Sequence, residues 1–315
     1  MKLVLRILGG LGNQLFQYGT MRYLNLKYPG SEMYIDTRRY ENYKVRDFEL
    51  KAFKLYDNIT DYKENPIKYT VSREAYHVYQ YLYHRCKHRQ APMLGNFFVK
   101  KGLIYATVDF KMPENLDTDK TYFLYGYFGK VDYVKEIRSI LIEDTRLKAP
   151  LSDQAQEYAS EISAAAEKAV GVSIRYGMDY RSLGWPICTP EYYRSGMDKI
   201  QAERGGDCKF FVFSDALDEV IKNKWFEGYD VTYVKGCNVV EGFSILRSCR
   251  DFVIANSSFS WWASWLSEDD NRIVYAPNYF FSEIYEQRYD KLMVFEQERF
   301  LDYKTGEEVD NILNS

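Results

Sequence analysis

The clearest pattern of apolar and polar positions lies in the second half of the chain. Ala169–Ile174, Lys209–Phe213, Val231–Val234, Phe252–Ala255 and Ile273–Ala276 are short, nearly unbroken apolar runs, as in strands covered on both faces. Between them, residues 190–203, 215–224, 240–249 and 258–267 repeat their apolar positions at helical spacing. Strands that alternate with helices predict a parallel, doubly wound sheet, which binds ligands beyond the carboxyl ends of its strands. The first half is less regular. Leu3–Tyr18, LVLRILGGLGNQLFQY, predicts a strand, a glycine-rich turn and a helix. Further strands are expected at Met33–Ile35 and Tyr122–Tyr125, with helices over 72–89, from about Val131, and from Ser152 to about Lys168. The pattern predicts an α/β protein with one domain over residues 1–160 and another over 161–285. A charged tail, residues 286–315, is not placed by pattern; packing back on the first domain is one option.

Composition narrows the function classes. A length of 315 residues suits two domains, and a hydrophobic fraction of 46% is enough for two full cores. The net charge of −3, with no long basic run, gives no reason to expect a nucleic-acid partner. The five cysteines, Cys86, Cys188, Cys208, Cys237 and Cys249, are odd in number and contain no C-x-x-C pair, which suits free thiols in a reducing compartment. Arg6 interrupts the short N-terminal apolar run, and no stretch approaches the ~20 apolar residues of a membrane-spanning helix. The expected setting is inside the cell, in a reducing cytoplasm. Thirty tyrosines favour sugar-binding surfaces only slightly, because tyrosine also fills ordinary cores and interfaces.

Three places combine chemistry with expected strand ends. At the first, Gly9, Gly10 and Gly12 allow a sharp turn, and Asn13 and Gln14 follow at the helix start, a setting for an anion; glycines used only for packing are the alternative. No Lys and Ser or Thr follow the turn, so it is not a P-loop, and Leu15 occupies the third glycine position of the dinucleotide fingerprint. Asp36, closing the second strand, sits near the place of that fold's ribose-binding acid. At the second, Asn256, Ser257 and Ser258 follow a strand and open an aromatic helix containing Phe259, which suits a phosphate cradle as well as an N-cap. At the third, Arg175 leaves a central strand next to Gly177, placed to fork a phosphate or to pair with Asp179; the two are compatible. Asp117-Thr118-Asp119 spells D-x-D but precedes a strand, so it reads as a solvated turn.

In chain order, GGLGNQLFQY, Gly126-Tyr127-Phe128, SIRYGMDY, Phe213-Ser214-Asp215 and NSSFSWWASWL resemble the α-1,2-fucosyltransferases of glycosyltransferase family 11, over residues 1 to about 280. The resemblance implies a GT-B-like fold of two Rossmann-type domains facing across a cleft, the first on the acceptor side and the second binding the donor. It implies metal-independent, inverting transfer from GDP-fucose, without a further cofactor, to an oligosaccharide hydroxyl, usually O2 of a β-galactoside. By this resemblance Arg175 holds the donor diphosphate, and Gly10, Gly12, Asn13, Gln14, Ser173, Ser214, Asp215, Glu241, Asn256, Ser257, Ser258 and Phe259 line the donor site. Asp179 and Asp36 are the carboxylate candidates for general base. The chain departs from the family pattern H-x-R-R-G-D-Y: Ser173 stands for the histidine, Tyr176 for the second arginine, and Met178 is inserted before Asp179-Tyr180. Glu241 falls one place early, with Gly242 in the acidic position. These departures bear on guanine recognition and on the donor sugar, leaving another GDP-hexose, or a non-catalytic sugar-nucleotide or glycan binder, as alternatives. A dehydrogenase is more distant, because Leu15 breaks the fingerprint and no catalytic Tyr-Lys or His pairing stands out.

Overall fold

The computed structural model describes residues 1–42, 45–64, 74–79, 81–82, 85, 91–106, 111–182, 184–279 and 293–310. The chain forms two compact units, Met1–Arg146 and Leu147–Ser315.

The first unit is built on a parallel sheet of order β3-β2-β1-β5-β4, with β1 Lys2–Arg6, β2 Glu32–Asp36, β3 Thr60–Asp61, β4 Leu103–Tyr105 and β5 Thr121–Tyr125. Leu3, Val4 and Leu5 are buried at its centre, which matches their unbroken apolar run. The helices are α1 Leu11–Lys27, α2 Ala91–Lys100, α3 Val131–Lys135 and α4 Arg138–Asp144, so the single helix expected from Val131 is two short ones. Residues 74–79, 81–82 and 85 are helical; the rest of the helix expected over 72–89, including Cys86, lies outside the described residues. Helix α1 is fastened to α4 by Asp144, whose Oδ2 accepts from Tyr18 Oη at 2.6 Å and Arg22 Nε at 3.1 Å.

Two buried glutamines fix the glycine turn between β1 and α1. Gln17 pairs both ends of its amide with the Leu8 backbone, accepting from Leu8 N and donating to Leu8 O, each at 2.9 Å. The side chain thereby satisfies the backbone groups that a strand neighbour would otherwise take.

The second unit holds a sheet of order β12-β11-β10-β9-β6-β7-β8, parallel except for the β11–β12 pair. Its strands are β6 Ala169–Ile174, β7 Lys209–Ser214, β8 Val231–Tyr233, β9 Asp251–Ile254, β10 Val274–Pro277, β11 Glu298–Leu301 and β12 Glu308–Val309. All six residues of β6 are buried between β7 and β9. The helices are α5 Asp153–Ala165, α6 Met178–Arg181, α7 Pro190–Glu203, α8 Leu217–Lys222, α9 Val239–Arg247 and α10 Ser258–Leu266. Ser152 and Thr189 cap α5 and α7, and Pro190 opens α7 where its missing N–H costs nothing. Asp251 starts β9 fully buried, gripped by the Arg204 guanidinium through two contacts of 2.7 Å. Among the described residues, no helix is long and apolar enough to cross a membrane.

The division falls after Arg146 instead of at residue 160, because α5 is tied to the second sheet. Glu241 Oε1 accepts from Ser152 N at 2.9 Å, and Lys209 pairs with Glu161 at 3.0 Å. Among the described residues of the tail, β11 extends the second sheet, and its following loop lies along α7. Thr189 Oγ1 donates to Lys304 O and Ser195 Oγ to Gly306 O, both at 2.6 Å. Pattern missed β11 because it opens with Glu298, a buried carboxylate that accepts from Phe295 N at 3.1 Å and that burial pushes well above the usual range.

Two stability predictions follow from these clamps. Gln17→Leu keeps the volume but strips partners from two buried backbone groups, so it should cost roughly 2–5 kcal/mol. The urea midpoint reads this directly, and an unchanged midpoint would mean that water replaces the amide. Glu241 also closes a capping box on Asn238. Donation from the Ser152 backbone N–H first, and from Asn238 N next, holds its carboxyl below the ordinary 4.5. Its contribution is therefore present above that value and is lost as the pH falls through the lowered one. Wild type should melt above Glu241→Gln at neutral pH, with the gap closing in acid; a gap that persists at pH ~2 would contradict the linkage.

Candidate active site

The carboxyl ends of β6, β7 and β9 adjoin because these strands are neighbours in the sheet. Arg175 leaves β6 there, and its guanidinium is caught between two carboxylates. Nη2 donates to Asp179 Oδ2 at 2.8 Å, and Nη1 donates to Asp215 Oδ2. Asp215, just beyond β7, also takes the backbone N–H groups of Tyr176 at 2.7 Å and Gly177 at 2.9 Å on its Oδ1. One carboxylate thus shapes the turn after β6 and orients the arginine that the turn presents. Gly177 leaves room for this arrangement: a Cβ there would lie 2.6 Å from Asp215 Oδ2 and 2.9 Å from Asp179 Oδ1. The salt bridge between Arg175 and Asp179, one of the two compatible readings of the sequence, is present.

A buried polar layer supports the turn, and of its members only Asn256 stands out by pattern. The Arg175 guanidinium lies 5.1 Å from the centre of the Tyr180 ring, and Tyr180 Oη donates to Asn256 O at 3.2 Å. Tyr192 Oη donates to Ile254 O at 2.6 Å, below the end of β9. Burial pushes the Cys188 thiol up to about 12, which keeps it neutral. Tyr176, at the position of the family's second arginine, lies beneath the Arg181 guanidinium at 4.5 Å and packs edge-on to Trp225. Arg181 in turn pairs with Glu219 at 2.8 Å.

Several candidate donor residues turn their polar groups inward. Asn256 is buried, and its Nδ2 donates to Pro186 O at 2.9 Å, so it fastens the 186–188 segment. Ser214 Oγ accepts from Ala216 N at 3.0 Å in a local turn. Ser257 is the N-cap of α10, its Oγ accepting from Phe259 N at 3.3 Å, while the Phe259 ring packs against Phe243. Ser258 is half-buried in the first turn of α10, and Ser173 is buried within β6. Both Glu241 oxygens serve the caps described above, away from the arginine.

In the first unit, Gly10 is the N-cap of α1 with no side-chain cap, Gly12 is buried and Asn13 is half-buried beside Gly9. Gln14 is fully buried: its Nε2 faces Gly9 O at 3.0 Å, Tyr40 Oη at 3.0 Å and Asp47 O at 2.8 Å, and its Oε1 accepts from Glu49 N at 3.0 Å. These bonds tie the 47–49 segment to the glycine turn, so the Gln14 amide is spent inside the unit. Asp36 is buried and accepts a two-point fork from Arg38, at 2.8 and 3.1 Å. Asp117-Thr118-Asp119 forms an exposed turn in which Asp117 accepts from Asp119 N at 3.1 Å and pairs with Lys120 at 3.0 Å.

The family model described as Glycosyl transferase family 11 matches residues 6–297. An Escherichia coli relative named O-antigen biosynthesis glycosyltransferase WbnK is 25% identical, covering 87% of this chain and 93% of its own. A second E. coli relative, an alpha-1,2-colitosyltransferase, is 29% identical, covering 88% of this chain and 92% of its own. The crystal structure of fucosyltransferase NodZ from Bradyrhizobium aligns with TM-score 0.51 at 12% identity, over 84% of this chain and 92% of NodZ, a likeness of fold. The fold is GT-B-like, with a Rossmann-type sheet in each unit. The chain belongs to glycosyl transferase family 11 and is a glycosyltransferase.

Proposed function

We propose that this enzyme transfers fucose from GDP-fucose to a glycan hydroxyl with inversion, O2 of a β-galactoside being the expected acceptor, and without a metal ion, in a bacterial cytoplasm. The observation that carries this reading is Arg175, a fork presented at the end of the central strand and oriented by Asp215.

The donor diphosphate carries more charge than one carboxylate, so it displaces Asp179 from Nη2 while Asp215 keeps Nη1 and the turn in place. The N-terminus of α10, beyond the neighbouring strand, adds its dipole to the same edge. As the bond from the anomeric carbon to the phosphate oxygen breaks, Arg175 stabilises the charge that builds on the leaving diphosphate. The acceptor oxygen forms the new bond to the anomeric carbon from the opposite face. Its proton passes to Asp179, released from its ion pair by donor binding. The resemblance of the motifs around Arg175 and Ser257–Phe259 supports the GDP donor. A second reading, transfer of another GDP-hexose, is favoured by Ser173 and Tyr176 in place of family residues and by the relative named as a colitosyltransferase.

Calorimetry should show binding of GDP and GDP-fucose and none of NAD; binding of NAD without GDP would overturn the assignment. Labelled GDP-fucose should give a product only when a β-galactoside is present, whereas a binder gives none. Product from GDP-colitose alone would select the second reading. Arg175→Lys keeps the charge but loses the fork, and activity should fall by orders of magnitude with the melting temperature unchanged. Near-normal turnover would make Arg175 structural. Asp179→Asn should lower kcat and remove the acidic limb of the pH profile while GDP affinity holds or rises. A kcat within a few-fold of wild type would place the base elsewhere.

A further inference from the structure

We propose that Tyr127 is the platform on which the acceptor's sugar ring stacks, an assignment that rests on the glycosyl-transfer reading above. Tyr127 is 55% exposed and follows Gly126 just beyond the end of β5. Both of its neighbours are pinned in unusual backbone conformations. Gly126 has φ 122°, and a Cβ there would lie 2.6 Å from Ala106 Cβ and 3.2 Å from Ala106 N. Phe128 has φ 53° although it is a bulky, non-glycine residue, and its ring is buried. Lys130 N donates to Phe128 O at 2.7 Å and closes the turn. A phenylalanine held at positive φ is a costly arrangement that persists where the surroundings enforce it, commonly at binding sites. Here the enforced feature is the outward direction of Tyr127.

The surroundings identify the ligand. The loop leaves the carboxyl edge of a parallel sheet, the edge at which such sheets bind ligands. The ring lies against the glycine turn: a Cβ on Gly9 would sit 3.3 Å from Tyr127 Cε1. Behind it the edge is aromatic, with Tyr76 and Tyr125 ring centres 4.0 Å apart and Tyr105 adjoining. Of the nearby guanidinium groups, Arg6 lies over the Tyr125 ring, Arg38 forks Asp36, and Arg46 packs against Gly10 of the same turn. An aromatic face with a hydroxyl at its rim suits a neutral ring that has one C–H face and a hydroxylated edge, which describes a pyranose better than a phosphate. A pyranose is present in both the acceptor and the donor. The acceptor sugar is the assigned occupant, and separate KM values for acceptor and donor distinguish the two sources.

Tyr127→Ala should raise the KM for lactose or methyl β-galactoside by about tenfold, leaving the KM for GDP-fucose and the melting temperature unchanged. Tyr127→Phe and Tyr127→Trp, which keep a ring, should restore most of the loss. A rise in donor KM alone, an unchanged acceptor KM, or failure of both aromatic variants to rescue would each overturn the assignment. An activity-independent arm uses a glycan array probed with the whole protein and with Tyr127→Ala. Retention on pyranose glycans that the alanine variant loses supports the platform, and equal retention or none by the wild type refutes it. Calorimetry with GDP remains a separate measure, so the platform can fail while the donor reading stands.

Discussion

Everything at the candidate site depends on the Asp215 carboxylate. It sits at the end of one strand and reaches across to the next, where it accepts two backbone N–H groups with one oxygen and pairs with Arg175 through the other. Arg175 keeps a side-chain exposure of 20%, so the ion pair is partly screened and contributes less to stability than to direction. Its value is orientation: a guanidinium held on one side by a fixed carboxylate offers its remaining edge in a defined plane. The second carboxylate, Asp179, occupies that edge, and at 42% exposure it is the more easily displaced. An arginine between a fixed and a displaceable partner is charged, oriented and neutralised until a stronger anion arrives.

The layer below explains why the turn can be this specific. Tyr180, Tyr192 and Asn256 send their polar atoms to backbone carbonyls at the ends of neighbouring strands and loops. Buried polar groups must find partners, and once paired they allow few alternative arrangements. The same economy acts in the first unit, where Gln14 and Gln17 hold the glycine turn and Arg38 occupies Asp36. Residues that look like ligands in a motif can therefore be the scaffold that keeps the motif in shape.

The strand and helix order of the second unit was legible because buried parallel strands are unbroken apolar runs, and all five expected strands are present within a residue or two. The short strands β3, β4 and β12 carry too few residues to show a pattern, and β11 hides behind the buried Glu298. Arg175, Asp179 and Asp215 were all named from sequence. The Arg175–Asp179 pair was legible too, four positions apart; the contact with Asp215 was not, because it joins residues 40 positions apart through strand adjacency. For Glu241, Gln14 and Asn256 the residue type suggests a ligand, and the hydrogen-bond partners that the fold gives them come from distant backbone, which no local pattern encodes.

The sequence by itself determined the alternation of strands and helices, the family and the cluster of polar residues at strand ends, since these are written in local periodicity and short motifs. Only the tertiary structure decided which polar atoms are spent inside the protein and which remain to meet a ligand. Burial and pairing are properties of neighbours in space, and no spacing along the chain encodes them.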